Sequence, residues 1–220
     1  MAPETLYRHR RRHWQRLPRL YLVTDRQQTA ERPLEDVIAA ATQSGASMVQ
    51  LREKDLSARE LYALGSRLKS LLDAVDVPLL INDRVDVALA LDAAGVHLAG
   101  HSLPTPEARR VLGAQKLLGV STHSLDQARA AADDGADFVV FGPVFSTPSK
   151  AAYGPPQGLS RLAEVVQHVA IPVLAIGGII TSNVPAVLET GAYGIAMIRA
   201  VLAAPDPRAA VDQLTAHLLS

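Results

Sequence analysis

The chain has 220 residues, 48% of them hydrophobic and 20% charged, with a formal net charge of zero and no cysteine. That length and balance suit one domain with a substantial core. The absence of cysteine excludes disulfides, thiolate catalysis and Cys-bound zinc. No apolar run approaches the ~18 residues of a membrane span, and the N-terminus has no apolar signal core, so a cytoplasmic location is expected.

Charge is unevenly spread. Residues 1–19 hold six arginines (Arg8, Arg10, Arg11, Arg12, Arg16 and Arg19) against Glu4, a net +5 that leaves −5 for the rest. Residues 1–17 are expected to form a solvated basic arm, and 18–220 the folded domain. A basic stretch can touch nucleic acid or acidic lipid, but a short arm on a mildly acidic domain argues against nucleic acid as the partner.

From residue 20 onward, short apolar runs alternate with helical patterns. A strand near 20–24 ends in Thr24 and Asp25, and a helix follows near 33–44 with Pro33 in its first turn. A strand near 47–52 carries Gln50, Arg52 and Lys54 at alternate positions, so all three face one side. Two cations and an amide there would bind a di-anion; the competing reading is a rim paired with Glu53 and Asp55. The next helix, near 57–73, has Ser57 as its cap. A strand near 78–82 runs into Asn82 and Asp83, ahead of a helix near 84–91. Asp83 could hold Mg²⁺ beside a phosphate or cap that helix.

The strand near 95–98 contains His97, read as a packed and satisfied histidine, and the helix near 105–112 carries Pro106 in its first turn. A strand near 117–121 ends in Ser121, followed by His123 and the helix cap Ser124 before a helix near 125–133. His123 is the candidate for proton transfer near neutral pH. After a strand near 137–141 comes the longest loop, 142–157, where Thr147, Ser149 and Lys150 could wrap a phosphate. A helix near 158–168 precedes a strand near 172–176 that ends in Gly177 and Gly178. A helix near 182–189, a strand near 193–197 that runs through Ile198 to Arg199, and a helix near 207–218 complete the chain. The glycines of QSGAS, DAAGV, DDGAD and ETGAY sit where helices commonly stop in a left-handed conformation.

Eight βα units in about 200 residues favour the α/β class and a closed single-domain (β/α)8 TIM barrel. In that fold the strand-end residues converge on one face, where the chemistry sits, and loops after strands seven and eight often bind phosphate through backbone N–H groups. Small phosphorylated metabolites are the natural ligands.

The series LYLVTD, VQLREKD, INDRVDVALA, GVHL, GVSTHSLDQA, FGPVFSTPSK and PVLAIGG closely resembles the thiamine-phosphate synthase/TenI family over roughly residues 18–218. The resemblance implies a (β/α)8 barrel acting on the thiazole branch of thiamine synthesis. It places Gln50, Arg52, Lys54 and Asn82 on the pyrimidine or pyrophosphate side. Thr147, Ser149 and Lys150 match the phosphate-gripping loop, Gly177 and Gly178 the thiazole-phosphate site, and Asp83 one of two Mg²⁺ carboxylates. The chain departs from the synthase pattern in two places. Ser102, in GVHLAGHSLP, stands where the second Mg²⁺ aspartate belongs, and Arg199 stands where strand eight usually ends in serine.

A hydroxyl is a poor replacement for a carboxylate on Mg²⁺. The leading expectation is accordingly a TenI-like thiazole tautomerase, which aromatises a thiazole carboxylate phosphate without metal. His123 would carry the proton. The alternative is a thiamine-phosphate synthase that uses Mg²⁺ and joins pyrimidine pyrophosphate to thiazole phosphate. A further alternative is a non-catalytic phosphate-ligand sensor. The expected partners are a phosphorylated thiazole and pyrimidine pyrophosphate, with no membrane partner and a homodimer left open.

Overall fold

The computed structural model describes residues 17–43, 47–147 and 155–218. Its strands are β1 (Leu20–Val23), β2 (Ser47–Leu51), β3 (Leu79–Asn82), β4 (Gly95–Leu98), β5 (Leu117–Thr122), β6 (Phe138–Phe141), β7 (Val173–Ile176) and β8 (Gly194–Met197). Each pairs in parallel with the next, and β8 returns to β1 with Leu20 opposite Ile195, so the sheet closes into a barrel. The helices between them are α1 (Leu34–Thr42), α2 (Ala58–Asp73), α3 (Val85–Ala90), α4 (Thr105–Leu112), α5 (Leu125–Asp133), α6 (Gly158–His168), α7 (Val184–Glu189), α8 (Arg199–Leu202) and α9 (Pro207–Leu218). The expected barrel is the one found. Only α8 went unread, because one turn directly after a strand leaves no helical period to detect.

Strand alternation divides the core in two. Val49, Leu51, Val139, Phe141, Val173, Ala175, Ile195 and Met197 point outward and pack against the helices. Tyr21, Met48, Leu80, Phe138, Val140, Leu174 and Ala196 fill the barrel interior. Leu17, assigned to the arm by sequence, packs with this inner set, and its carbonyl accepts the Tyr193 hydroxyl. Residues 1–16 lie outside the described residues. Among those described, no helix is long and apolar enough to cross a membrane.

Local chemistry explains most of the boundaries. Ser57 accepts the Glu60 N–H while Glu60 reaches back to the Ser57 N–H, a full capping box at the start of α2. Ser124 caps α5 by accepting the Gln127 N–H. Gly135 and Gly191 take the expected left-handed conformation, with φ of 100° and 85°; the glycine of QSGAS lies outside the described residues. Gly95 does not behave as expected. It belongs to β4, and Asp92 takes the left-handed position instead. Gly95 is required for another reason: a Cβ there would lie 2.0 Å from the Leu117 carbonyl oxygen on β5.

One buried ion pair secures the β5–β6 side. Asp137 accepts the Leu118 N–H at 2.8 Å and pairs with Arg109 at 2.5 Å. Arg109 also donates to the carbonyls of Gly113, Lys116 and Gly135. Asp137→Ala would leave a largely buried guanidinium without its counter-charge and the Leu118 N–H without its acceptor. A loss of about 3–5 kcal/mol is expected, measured by urea denaturation; a loss under about 1 kcal/mol would contradict this account.

Candidate active site

A cavity of about 870 Å³ opens at the C-terminal ends of the strands. Gln50, Arg52, Lys54, Asn82, Ser121, His123, Thr147, Gly177, Gly178, Ile198 and Arg199 all line it. Of the residues singled out by sequence, Asp83 lines a neighbouring cavity of about 330 Å³, which shares Lys54 and Asn82 with the first. Ser149 and Lys150 lie outside the described residues.

The cationic side is organised by a carboxylate. Glu53 is buried, and it accepts the Thr24 hydroxyl at 2.6 Å, the Arg26 N–H and the Arg26 guanidinium at 3.0 Å. Asp55 takes the other edge of the same guanidinium at 2.5 and 2.7 Å. Glu53 and Asp55 therefore pair with Arg26, not with Arg52 as the rim reading required. Both acids hold the Arg26 guanidinium more firmly protonated, Asp55 foremost, and Arg26 in turn lowers the pKa of Asp55. Thr24 also accepts the Arg52 N–H at 2.9 Å, which fixes the backbone from which Arg52 enters the cavity. Among the described residues no carboxylate pairs with Arg52.

Asp83 does not cap α3; Arg84 occupies the cap position without a side-chain cap bond. Asp83 sits in the left-handed region, with φ of 64°, where aspartate is tolerated better than most residues. Its N–H donates to the His97 carbonyl at 2.9 Å, joining β3 to β4. Ser102 Oγ accepts the Ala99 N–H at 2.8 Å, so the hydroxyl is engaged by its own loop. Among the described residues no three His, Cys, Asp or Glu gather close enough to hold a metal. Of the two positions that the resemblance assigns to Mg²⁺, Asp83 offers a carboxylate and Ser102 only a hydroxyl.

The cavity floor contains residues that sequence reading missed. His97 is buried, lines the cavity, and lies 2.9 Å from Ser121 Oγ through Nε2. It is packed, as expected, but satisfied on one nitrogen only, since Nδ1 has no partner. Tyr21 and Phe138 pack around it, with ring centroids 5.6 and 5.9 Å away. The available signal was parity: His97 stands opposite Asn82 and Gly119, and Ser121 opposite the inward Val140. Beyond the floor, His123 Nδ1 lies 2.5 Å from the Gly142 carbonyl. A carbonyl only accepts, so Nδ1 carries a hydrogen.

The opposite wall is backbone. Gly177 and Gly178 have φ of 99° and 64°. A Cβ on Gly177 would lie 2.5 Å from Pro143, and one on Gly178 2.6 Å from Phe145. The 143–145 segment is docked here, its Val144 and Phe145 N–H groups donating to the carbonyls of Ile176 and Gly177. Arg199 opens α8 beside them and is exposed. Arg32 braces the far side, donating to the carbonyls of Leu202 and Ala204 at 2.8 Å and of Pro205 at 3.3 Å.

The family model described as thiamine monophosphate synthase matches residues 20–201. A thiamine-phosphate synthase of Roseiflexus sp. (strain RS-1) is 48% identical over 91% of this chain and 85% of its own length. One from Chloroflexus aurantiacus is 48% identical over 90% of this chain and 91% of its own. The solved thiamine phosphate pyrophosphorylase of Pyrococcus furiosus superposes with a TM-score of 0.84 at 38% identity, covering 93% of this chain and 96% of its own.

Burial, with a smaller contribution from Arg52, lowers the His97 pKa from 6.5 to about 3. The unfolded chain binds this proton near pH 6.5 and the folded chain only near 3. The stability that this neutral ring contributes is complete above about 6.5 and is lost as pH falls toward 3. Urea midpoints measured from pH 7 to pH 4 should fall with a slope that is shallower by about one proton in His97→Gln. Parallel slopes in the two proteins would refute the assignment.

Proposed function

The chain belongs to the thiamine monophosphate synthase family, and from that we propose that it is a transferase, a thiamine-phosphate synthase. It would join a pyrimidine pyrophosphate to a thiazole phosphate and release pyrophosphate. A carbon–nitrogen bond to the thiazole ring forms as the carbon–oxygen bond to pyrophosphate breaks. The names of the relatives favour this reading over the tautomerase expected from Ser102.

The observation that carries the proposal is the state of the β2 edge. Arg52 enters the cavity while the neighbouring acids are held by Arg26, so its charge is directed at a ligand. A guanidinium forks onto phosphate oxygens, and Lys54 adds a point charge on the same side. These cations would hold the pyrophosphate and offset the charge that develops on it as it leaves. The thiazole phosphate would lie across the cavity at Gly177, Gly178, Ile198 and Arg199, against backbone donors that the missing side chains leave accessible. Asn82 and Gln50 line the same cavity and would orient the pyrimidine.

The test is formation of thiamine phosphate from the two substrates and Mg²⁺. Turnover is expected, and Arg52→Met should lower kcat/KM by roughly 10- to 100-fold, the loss of a charge-assisted bond to phosphate. No turnover by folded protein, together with proton exchange on a thiazole carboxylate phosphate, would replace this reading with the tautomerase. Ser102→Asp adds the missing carboxylate and is expected to lower the Mg²⁺ concentration needed for half-maximal rate several-fold. An unchanged Mg²⁺ dependence would argue against position 102 as a metal ligand.

A further inference from the structure

The 2.9 Å contact between His97 Nε2 and Ser121 Oγ can run in either direction. If Nδ1 carries the hydrogen, Nε2 accepts from the serine. If Nε2 carries it, the serine accepts and its own hydrogen is free to point elsewhere. The other nitrogen decides between them. Nδ1 is the one buried side-chain polar atom among the described residues that lacks a partner. A hydrogen placed there would be an orphaned buried donor, which proteins tolerate less often than an unsatisfied acceptor.

The surroundings agree. A Cβ built on Gly119 would lie 2.6 Å from His97 Nδ1 and 2.3 and 2.8 Å from Phe138 Cζ and Cε2. The space that a Gly119 side chain would fill is thus bounded by His97 Nδ1 on one side and the rim of the Phe138 ring on the other, and it offers Nδ1 no hydrogen-bond partner. An N–H at Nδ1 would find no acceptor there, and an unpaired lone pair is the less costly of the two. The doubly protonated ring is disfavoured at neutral pH by burial and by Arg52.

We propose that His97 is a positioning residue. As the neutral Nε2–H imidazole it donates to Ser121 Oγ, and so turns the serine hydrogen into the cavity. Ser121 then meets the ligand as a donor and selects an acceptor atom, an aromatic ring nitrogen or a phosphate oxygen. That this ligand is a pyrimidine pyrophosphate rests on the synthase reading; the direction of the His97–Ser121 bond does not.

Two measurements test it. The first is ¹⁵N NMR of the histidine rings in the wild-type protein at neutral pH, with the His97 signals identified by their loss in His97→Gln. The pattern of a neutral ring protonated at Nε2 is expected. A ring protonated at Nδ1, or at both nitrogens, overturns the proposal whatever the protein catalyses. The second is the thiamine-phosphate assay. Gln at position 97 can present an amide N–H near the Nε2 position, whereas Leu cannot. His97→Gln should keep kcat/KM within roughly threefold of wild type, while His97→Leu and Ser121→Ala each lose roughly five- to tenfold, the worth of one hydrogen bond. Equal losses in the Gln and Leu variants would reduce His97 to a packing role and overturn the proposal. Titration with inorganic pyrophosphate, and separately with a pyrimidine lacking the pyrophosphate, distinguishes the acceptors: the weakening caused by Ser121→Ala should appear with one of them, and its absence with both overturns the donor role. If thiamine phosphate is not formed at all, the synthase reading fails and the NMR result alone decides the direction of the bond.

Discussion

The buried carboxylate of Glu53 is the constraint on which the site depends. With 2% of its side chain exposed, it would be costly as an unpaired ion. The loop after β1 satisfies it with a hydroxyl, a backbone N–H and a guanidinium. That arrangement ties the ends of β1 and β2 together and turns the acid away from the barrel axis. Strand alternation then sends Arg52 to the opposite side. The cationic lining of the cavity thus follows from an acid being paired and hydrogen-bonded outside it, without any excess of cations in the chain as a whole.

The two sides of the cavity solve anion binding differently. One side uses long basic side chains, adaptable in reach and strong as point charges. The other removes side chains so that the main chain itself can approach. The glycines at 177 and 178 serve the fold as well, because the 143–145 segment leaves no room for a Cβ at either position. A residue type that looks like a ligand signature is here also a packing requirement, and the two demands reinforce each other.

Much of this was legible in the residues. Strand and helix periods located every element longer than one turn, and the polar strand ends converged on one cavity because a closed parallel barrel leaves them no other place. What could not be read was which partner each charge chooses. Glu53 and Asp55 lie beside Arg52 and Lys54 in sequence, yet Arg26, from another loop, takes both. His97 was hidden for a related reason. In the run GVHLA it resembles an apolar strand residue, and only its inward parity and the absence of a side chain at Gly119 place it in the cavity floor. Ser102 reads as a departure from the two-carboxylate pattern that the resemblance implies. Its consequence was overread, because the loss of one carboxylate bears on metal affinity while the relatives bear on the reaction.

The Arg32 clasp adds a temporal dimension to the architecture. It joins a residue of the first βα unit to carbonyls at 202, 204 and 205, some 170 positions later. Contacts of such long range form only after the entropy of closing the intervening loop has been overcome. The basic edge on β2 and the wall beside Arg199 belong to one closed barrel, and a domain generally folds as a unit. Competence for both ligands would therefore arrive together with ring closure.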